Sequence, residues 1–325
     1  MTQAIIVRET GGAEVLRAEP FEPGAPGPGE ARIAVHAAGV NYIDIYFRTG
    51  LYPRALPYVA GLEGAGVVEA VGPGAALRPG DRVALVTAPG SYATHVIAPA
   101  TQLVKVPDGV GLDVAAAAML QGMTAHYLVN GCRTTQRGDV ALVHAAAGGV
   151  GLLLIQLLVA AGARVIGTCS SEEKEKLARE AGAQHVLRYD RAEFAPAVRE
   201  LTDGRGCEVV YDSVGQATFE GSLRSLRPRG LLVLYGQSSG PVPPFELARL
   251  SALGSLFVTR PSLAHYTADR AELELRSGAV LGAVAAGRLQ VRIGARFPLA
   301  AAAEAHRALE GRRTTGKVLL LPETR

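Results

Sequence analysis

The rhythm of apolar and polar positions changes near Leu112. Before it, apolar residues alternate over short runs, as in ARIAVHAAGV (31–40), EGAGVVEAVGPG (63–74) and RPGDRVALV (78–86), each bounded by glycine or proline. Period-two alternation between turn residues predicts short strands. GSYATHVIAPATQLVKVP adds more, ending near Pro107, so this region reads as a β-rich, partly closed barrel. LDVAAAAMLQGMTAHYLV (112–129) is alanine-rich and helical, with Gly122 as its expected break. After Gly138 strands and helices alternate: strand 140–145, helix 150–161, strand 164–168, helix 171–181, strand 185–188 and helix 191–202. Strand 207–212, helix 216–226 and strands 230–235 and 255–259 follow. Such alternation predicts an α/β domain with a doubly wound parallel sheet. Beyond Pro261 come a helical stretch, LQVRIGARFPL, a helix over Ala301–Leu309 and the strand KVLLL, which belong with the first texture. The predicted organisation is residues 1–123 and 262–325 as one β-rich domain, with a nucleotide-binding domain, 124–261, inserted between them.

Between Asp139 and Arg164 there is no charged residue, which satisfies a length test for a membrane span. His144 and the glycines Gly148, Gly149 and Gly151 interrupt the run, and VALVHA and LLLIQLLVAA suit different structures. A buried strand, a glycine turn and a buried helix account for it. The strand VALVHA runs into AAAGGVG, whose last six residues, Ala146 to Gly151, match GxGxxG with Ala146 in place of the first glycine. Gly148 lets a pyrophosphate approach the backbone, Gly151 lets helix pack on strand, and the helix N-terminus offers free N–H groups. Strand, loop, helix and continued βαβ together predict a dinucleotide site.

The next strand selects the cofactor. An NAD site places a carboxylate about 20 residues on, at the strand tip, for the ribose 2′-hydroxyl. Here RVIGTCSSEEK ends in Thr168, Cys169, Ser170 and Ser171, with Lys174 in the first helical turn. Hydroxyls plus a cation suit a 2′-phosphate, so NADPH is expected over NADH. Glu172 and Glu173 fit a second role, as first-turn residues complementing the helix dipole.

Composition narrows the field. The 325 residues carry 33 Lys and Arg against 30 Asp and Glu, a net charge of +3 with no long block of one sign, so neither nucleic acid nor a membrane surface is the expected partner. Cys132, Cys169 and Cys207 stand in no metal-binding spacing. MTQAIIVRETGG has no apolar leader core before Arg8 and Glu9, and the expected compartment is the cytoplasm.

AAGVNYIDIYFRTGLYP, VAGLEGAGVVEAVGPG, AAAGGVG, YDSVG (Tyr211–Gly215) and VTRPSL (Val258–Leu263) together resemble the medium-chain dehydrogenase/reductase superfamily, in particular its zinc-free quinone oxidoreductase branch. The resemblance runs nearly end to end and implies a GroES-like catalytic domain plus a Rossmann domain. Where zinc alcohol dehydrogenases have a cysteine ligand this chain has Asn41, and where they have GHE it has Gly61-Leu62-Glu63. Without that thiolate and imidazole the resemblance implies no catalytic zinc, and the four-cysteine structural lobe is also missing. It further implies a nicotinamide cleft lined by Asn41, Asp44, Tyr46 and Tyr52, with Asp44 alternatively bonding local backbone. Gln121 and Thr124 would face the nicotinamide ribose, and Gly149 and Val150 the pyrophosphate. Ser170, Lys174 and Tyr189 would surround the 2′-phosphate. Ser213, Gly236, Gln237 and Ser238 would lie at strand ends beside the ligand, and Lys317 would add a phosphate or ribose contact.

The chemistry implied is hydride transfer from NADPH to a quinone. Reduction of an activated carbon–carbon double bond, an enone or enoyl thioester, is the alternative enzyme reading. A non-enzymatic NADPH- or RNA-binding role is the alternative outside enzymes. His36, His95, His126, His144 and His185 read as packing or surface residues without a general-base motif. The apolar stretch Leu256–Thr259 predicts a homodimer joined through a sheet edge.

Overall fold

The computed structural model describes residues 2–322 apart from Pro89, Asp190 and Ala192. The chain divides into two compact units, Met1–Met123 with Thr267–Arg325, and Thr124–Tyr266.

The first unit opens with β1 (Gln3–Val7), β2 (Arg17–Pro20), β3 (Glu30–Val40), α1 (Tyr42–Arg48), β4 (Tyr58–Val59), β5 (Glu63–Val71), β6 (Arg82–Val86), β7 (His95–Pro99) and β8 (Leu103–Lys105). The division between units falls inside α2 (Leu112–Tyr127). The second unit holds β9 (Val140–Val143), α3 (Gly149–Ala160), β10 (Arg164–Cys169), α4 (Glu172–Glu180), β11 (His185–Arg188) and α5 (Phe194–Leu201). It continues with β12 (Cys207–Asp212), α6 (Phe219–Ser225), β13 (Leu226–Leu234), α7 (Ala248–Ala252) and β14 (Phe257–Thr259). The chain returns to the first unit with α8 (Arg270–Ala285), β15 (Ile293–Pro298), α9 (Ala302–Glu310) and β16 (Lys317–Leu321).

In the first unit a sheet of order β15-β16-β3-β5-β6-β8, with β7 also on β3, is accompanied by a small sheet β2-β1-β4. The alternating strands turn Ile5, Ile33, Leu85, Leu103 and Leu320 into one buried cluster. β16 pairs antiparallel with β3, Val318 opposite Val40, which carries Lys317 to the end of β3 where Asn41 begins the next turn. Gly122 does not break α2. A Cβ there would meet Val280 Cγ1 at 2.6 Å, so the glycine is where α8 closes on α2.

The second unit is a six-stranded parallel sheet of order β11-β10-β9-β12-β13-β14. Strand order reverses between β9 and β12, the switch point where ligands bind at carboxyl ends of strands. All four residues of β9 are buried, and α3 buries Leu152, Leu153, Leu154, Ile155 and Leu158, as a helix apolar on every face does. The run without charges is therefore a buried strand and helix, and no helix among the described residues is long and apolar enough to cross a membrane. α6 begins at Phe219, later than periodicity predicts, because the Asp212 carboxylate draws the Val214 and Gly215 N–H groups into a turn.

Candidate active site

In the second unit, Gly148 is the N-cap of α3 and makes no side-chain cap, and no acidic residue occupies the first turn. By contrast Ser171 caps α4 and Asp269 caps α8. The N–H groups of Gly149, Val150 and Gly151 thus belong to an uncapped helix N-terminus, ready for an anion. A Cβ on Gly151 would meet the Ala146 carbonyl oxygen at 2.8 Å, so this glycine permits the close packing of helix and loop. Ala145, not Ala146, takes the left-handed conformation, φ +49°, which costs a non-glycine residue about 1–2 kcal/mol. Hydrogen bonds from Ala146 N–H to Thr168 (3.0 Å) and from Gly148 N–H back to Ala145 (2.8 Å) hold it.

At the tip of β10, Lys174 Nζ donates to Ser170 Oγ at 3.4 Å, and Tyr189 N–H donates to the Cys169 carbonyl at 3.3 Å. Ser170, Lys174 and Tyr189 therefore share one corner, with Tyr189 39% exposed. Glu172 and Glu173 are both exposed in the first turn of α4, the disposition of residues that complement the helix dipole. Ser213 and the 236–238 run also converge. Ser238 N–H donates to the Ser213 carbonyl at 3.1 Å, and a Cβ on Gly236 would meet Ser213 Cα at 2.9 Å.

Beneath these loops lies a buried polar chain that reading His144 as a packing residue misses. His144 Nε2 is 3.0 Å from Ser222 Oγ, and Nδ1 is 2.8 Å from Thr168 Oγ1. Ser222 donates to Asp212 Oδ2 at 2.8 Å, so its oxygen accepts from His144 Nε2–H, and Nδ1 accepts from the Thr168 hydroxyl. Burial holds the His144 pKa below the ordinary value against the pull of Asp212, consistent with a neutral ring. Asp212 also accepts from Thr218 Oγ1 and from the N–H groups of Val214 and Gly215. The signal for this chain was a polar residue closing an otherwise apolar strand, in VALVHA and in YDSVG.

In the first unit, Tyr46 and Tyr52 come together with ring centroids 5.1 Å apart, Tyr46 buried and Tyr52 half-buried. Phe47 meets Tyr52 edge-on at 5.9 Å. Asn41 is placed beside them in sequence, but its amide is already engaged. Nδ2 donates to Glu63 Oε2 at 2.8 Å, and Oδ1 accepts from Lys317 Nζ at 2.7 Å and from Gln121 Nε2 at 3.5 Å. Lys317, expected to add a phosphate or ribose contact, bonds Asn41 and Glu63 instead. It is fully buried, paired with Glu63, and β16 directs it inward. Glu63 Oε1 in turn accepts from Leu120 N–H at 2.6 Å. Gln121 thus points to Asn41, while Thr124, the first residue of the second unit, is buried.

Asp44 accepts at Oδ2 from Asn41 N–H and from the Tyr92 hydroxyl, each at 2.9 Å, so its local backbone bond is real. Oδ1 has no partner among the described residues. Burial pushes the Asp44 carboxyl up to about 6 despite those two donors and Lys317. Tyr92 continues to His306 Nε2 at 3.3 Å, and Arg48 reaches His306 Nδ1 at 3.5 Å and Glu310 at 2.6 Å. Sequence reading missed this ionic chain, whose members are scattered between residues 41 and 317. Among the described residues no group of three or more His, Cys, Asp or Glu could hold a metal ion.

A glycine-led, uncapped helix at the switch point of a doubly wound sheet, joined to a β-rich unit, defines a dinucleotide-dependent oxidoreductase. Family models agree: the alcohol dehydrogenase GroES-like domain matches residues 27–108 and the zinc-binding dehydrogenase domain matches residues 149–270. The chain is 47% identical to a quinone oxidoreductase of Pseudomonas aeruginosa, over 99% of this chain and all of that one. It is 42% identical to a 2-haloacrylate reductase of a Burkholderia species, with 99% and 100% covered. The structure of Escherichia coli quinone oxidoreductase complexed with NADPH superposes with a TM-score of 0.96 at 40% identity, covering 98% of this chain and all of that one. The chain belongs to the zinc-free quinone oxidoreductase branch of the medium-chain dehydrogenase/reductase superfamily.

Proposed function

We propose that this protein is an NADPH-dependent reductase that transfers a hydride to quinones. The observation that carries the reading is in the second unit: the uncapped N-terminus of α3 accompanied by the Ser170–Lys174–Tyr189 corner, with no carboxylate at the tip of β10. The N–H groups of Gly149, Val150 and Gly151 would hold the pyrophosphate, with Gly148 keeping the approach clear. Ser170, Lys174 and Tyr189 would hold the 2′-phosphate, and the Ser213 and Gly236–Ser238 backbone the nicotinamide end. Gln121 and Thr124 are the residues of α2 assigned to the ribose. That a relative is complexed with NADPH supports the choice of cofactor.

Bound NADPH supplies the hydride. One quinone, one NADPH and one proton give one hydroquinone and one NADP⁺. The chain's part is to bind, orient and exclude water. Tyr46 and Tyr52 offer ring faces for a flat acceptor and phenols for its oxygens. Asn41 and Asp44 act at one remove in this reading, by fixing the start of the helix that carries Tyr46. The metal-free reading rests on the donor set, since the Lys317 ammonium already bonds both Asn41 and Glu63. Double-bond reduction remains the second reading, favoured by the similarity to the 2-haloacrylate reductase.

The test is NADPH oxidation with 1,4-benzoquinone, 9,10-phenanthrenequinone and a short-chain enone in parallel, with and without chelator. The reading expects chelator-insensitive turnover of the quinones, with NADPH well ahead of NADH. Turnover of the enone alone would transfer the protein to the double-bond reductases.

We also propose a homodimer formed through β14, the edge strand of its sheet, on which Phe257 is 61% and Val258 39% exposed. A cytoplasmic location fits the three free cysteines.

A further inference from the structure

The three loops assigned to the cofactor each follow within two residues of a member of the buried polar chain. His144 precedes the loop from Ala145 to Gly151, Thr168 precedes Cys169 and Ser170, and Asp212 precedes Ser213. The chain runs across the sheet: Thr168 at the end of β10, His144 at the end of β9, Ser222 on α6 and Asp212 at the end of β12. All four residues are buried.

We infer that His144 is a positioning residue for the cofactor: through Thr168 and Ser222 it holds the three loops in one register and thereby sets the preference for a 2′-phosphorylated dinucleotide. The inference rests on the reading of Ser170 and Lys174 as the 2′-phosphate corner.

The backbone already ties neighbouring strands, so the side chains must add something to matter. They add direction beside a backbone position that is itself unusual. Ala145 sits in a left-handed conformation directly after His144, and the backbone bond from Ala146 runs to Thr168, the same residue whose hydroxyl reaches the His144 ring. The pyrophosphate loop and the 2′-phosphate corner are therefore joined by two bonds to one residue, one from backbone and one from side chain. Gly167 leaves no slack between them, because a Cβ there would meet Ala146 Cβ at 2.9 Å. On the other side Ser222 connects His144 to Asp212, whose carboxylate shapes the turn after β12 by accepting from Val214 and Gly215. The Phe194 ring packs against the His144 ring with centroids 4.8 Å apart, edge to face. Each bond in the chain has one possible direction, since Ser222 donates to Asp212, so the ring tautomer and the loop positions are specified together.

Thr168→Val removes the hydroxyl with little change of shape and leaves His144 Nδ1 without its donor. Lys174→Ala serves as the reference for loss of the 2′-phosphate contact. Dissociation constants for NADPH and NADH are read by nucleotide fluorescence on binding and by quenching of tyrosine emission, without turnover. The expected result is that Thr168→Val weakens NADPH about fivefold to tenfold and leaves NADH essentially unchanged, that Thr168→Ser restores NADPH binding, and that Ser222→Ala follows Thr168→Val. Equal weakening of both nucleotides, no weakening of either, or a Thr168→Ser variant that behaves like valine would overturn the inference while Lys174→Ala still discriminates. If Lys174→Ala also fails to discriminate, the 2′-phosphate reading is wrong and the inference falls with it.

Discussion

Each unit buries a histidine in a polar chain, and the two chains are built on opposite principles. In the second unit Asp212 is satisfied by hydroxyls and backbone N–H groups, no cation joins the chain among the described residues, and the His144 ring has a donor and an acceptor position filled. In the first unit the partners are ions: Lys317 with Glu63, both buried, and buried Arg48 with the exposed Glu310. Even so, Asp44 Oδ1 and Arg48 Nε are left without partners among the described residues. A chain of neutral donors fixes geometry over a wide pH range. A chain of buried ions is strong while intact, costly when one member is removed, and sensitive to protons.

The largest effect expected from this contrast is at Lys317 and Glu63. Removing one member, by Lys317→Met or Glu63→Gln, should destabilise the protein by about 3–5 kcal/mol, because the other charge is stranded out of water. Urea unfolding measures it. A loss as small as that of a surface pair would mean that the pair is hydrated.

Next comes acid. His306 is driven down to about 3 by burial and by Arg48, below its ordinary value of 6.5. The unfolded chain then takes up a proton that the folded one refuses, so stability present above 6.5 is lost as pH falls towards 3. Asp44 works the other way, since its carboxyl is raised from 3.8 to about 6. Its contribution is full below 3.8 and is lost as pH rises through 6, so it partly offsets the His306 loss between those values. His306→Gln should flatten the acid limb of a thermal-stability profile, and Asp44→Asn should steepen it. His144 is likewise held below its ordinary value by burial and adds to the same acid limb of stability.

A smaller and more local effect is expected at the 2′-phosphate corner. Lys174→Ala should weaken NADPH roughly 10–100-fold by removing a charge-assisted contact worth about 1.5–3 kcal/mol, with little change for NADH. Equal losses for the two would separate Lys174 from the phosphate. Smallest in energy is the sheet edge. Phe257→Lys should shift the protein from dimer to monomer by light scattering at micromolar concentration, and a wild-type monomer would remove the proposed interface.

Much of this architecture is written in local pattern. The buried run VALVHA, the glycine turn and the charge-free helix are legible because each depends on neighbours in sequence, and so is the missing carboxylate after β10. The polar chains are different. Asn41 and Lys317 meet across 276 residues and His144 and Ser222 across 78. Periodicity reports which side chains are buried, not which polar groups meet there. Lys317 shows the limit: nothing near it in the sequence announces Asn41 or Glu63, which it meets because β16 pairs with β3. Gly122 shows another, since a glycine inside a helical pattern looks like a break until the packing of α8 gives it a reason.

The central claim is that the protein transfers a hydride to a quinone and does not merely bind the nucleotide. Anaerobic mixing of the protein, preloaded with one equivalent of NADPH, with an excess of 1,4-benzoquinone tests it most directly. The account predicts one hydroquinone formed per NADPH consumed, at a rate far above that of free NADPH and unaffected by chelator. NADPH that remains bound and unoxidised in the presence of quinone would contradict it.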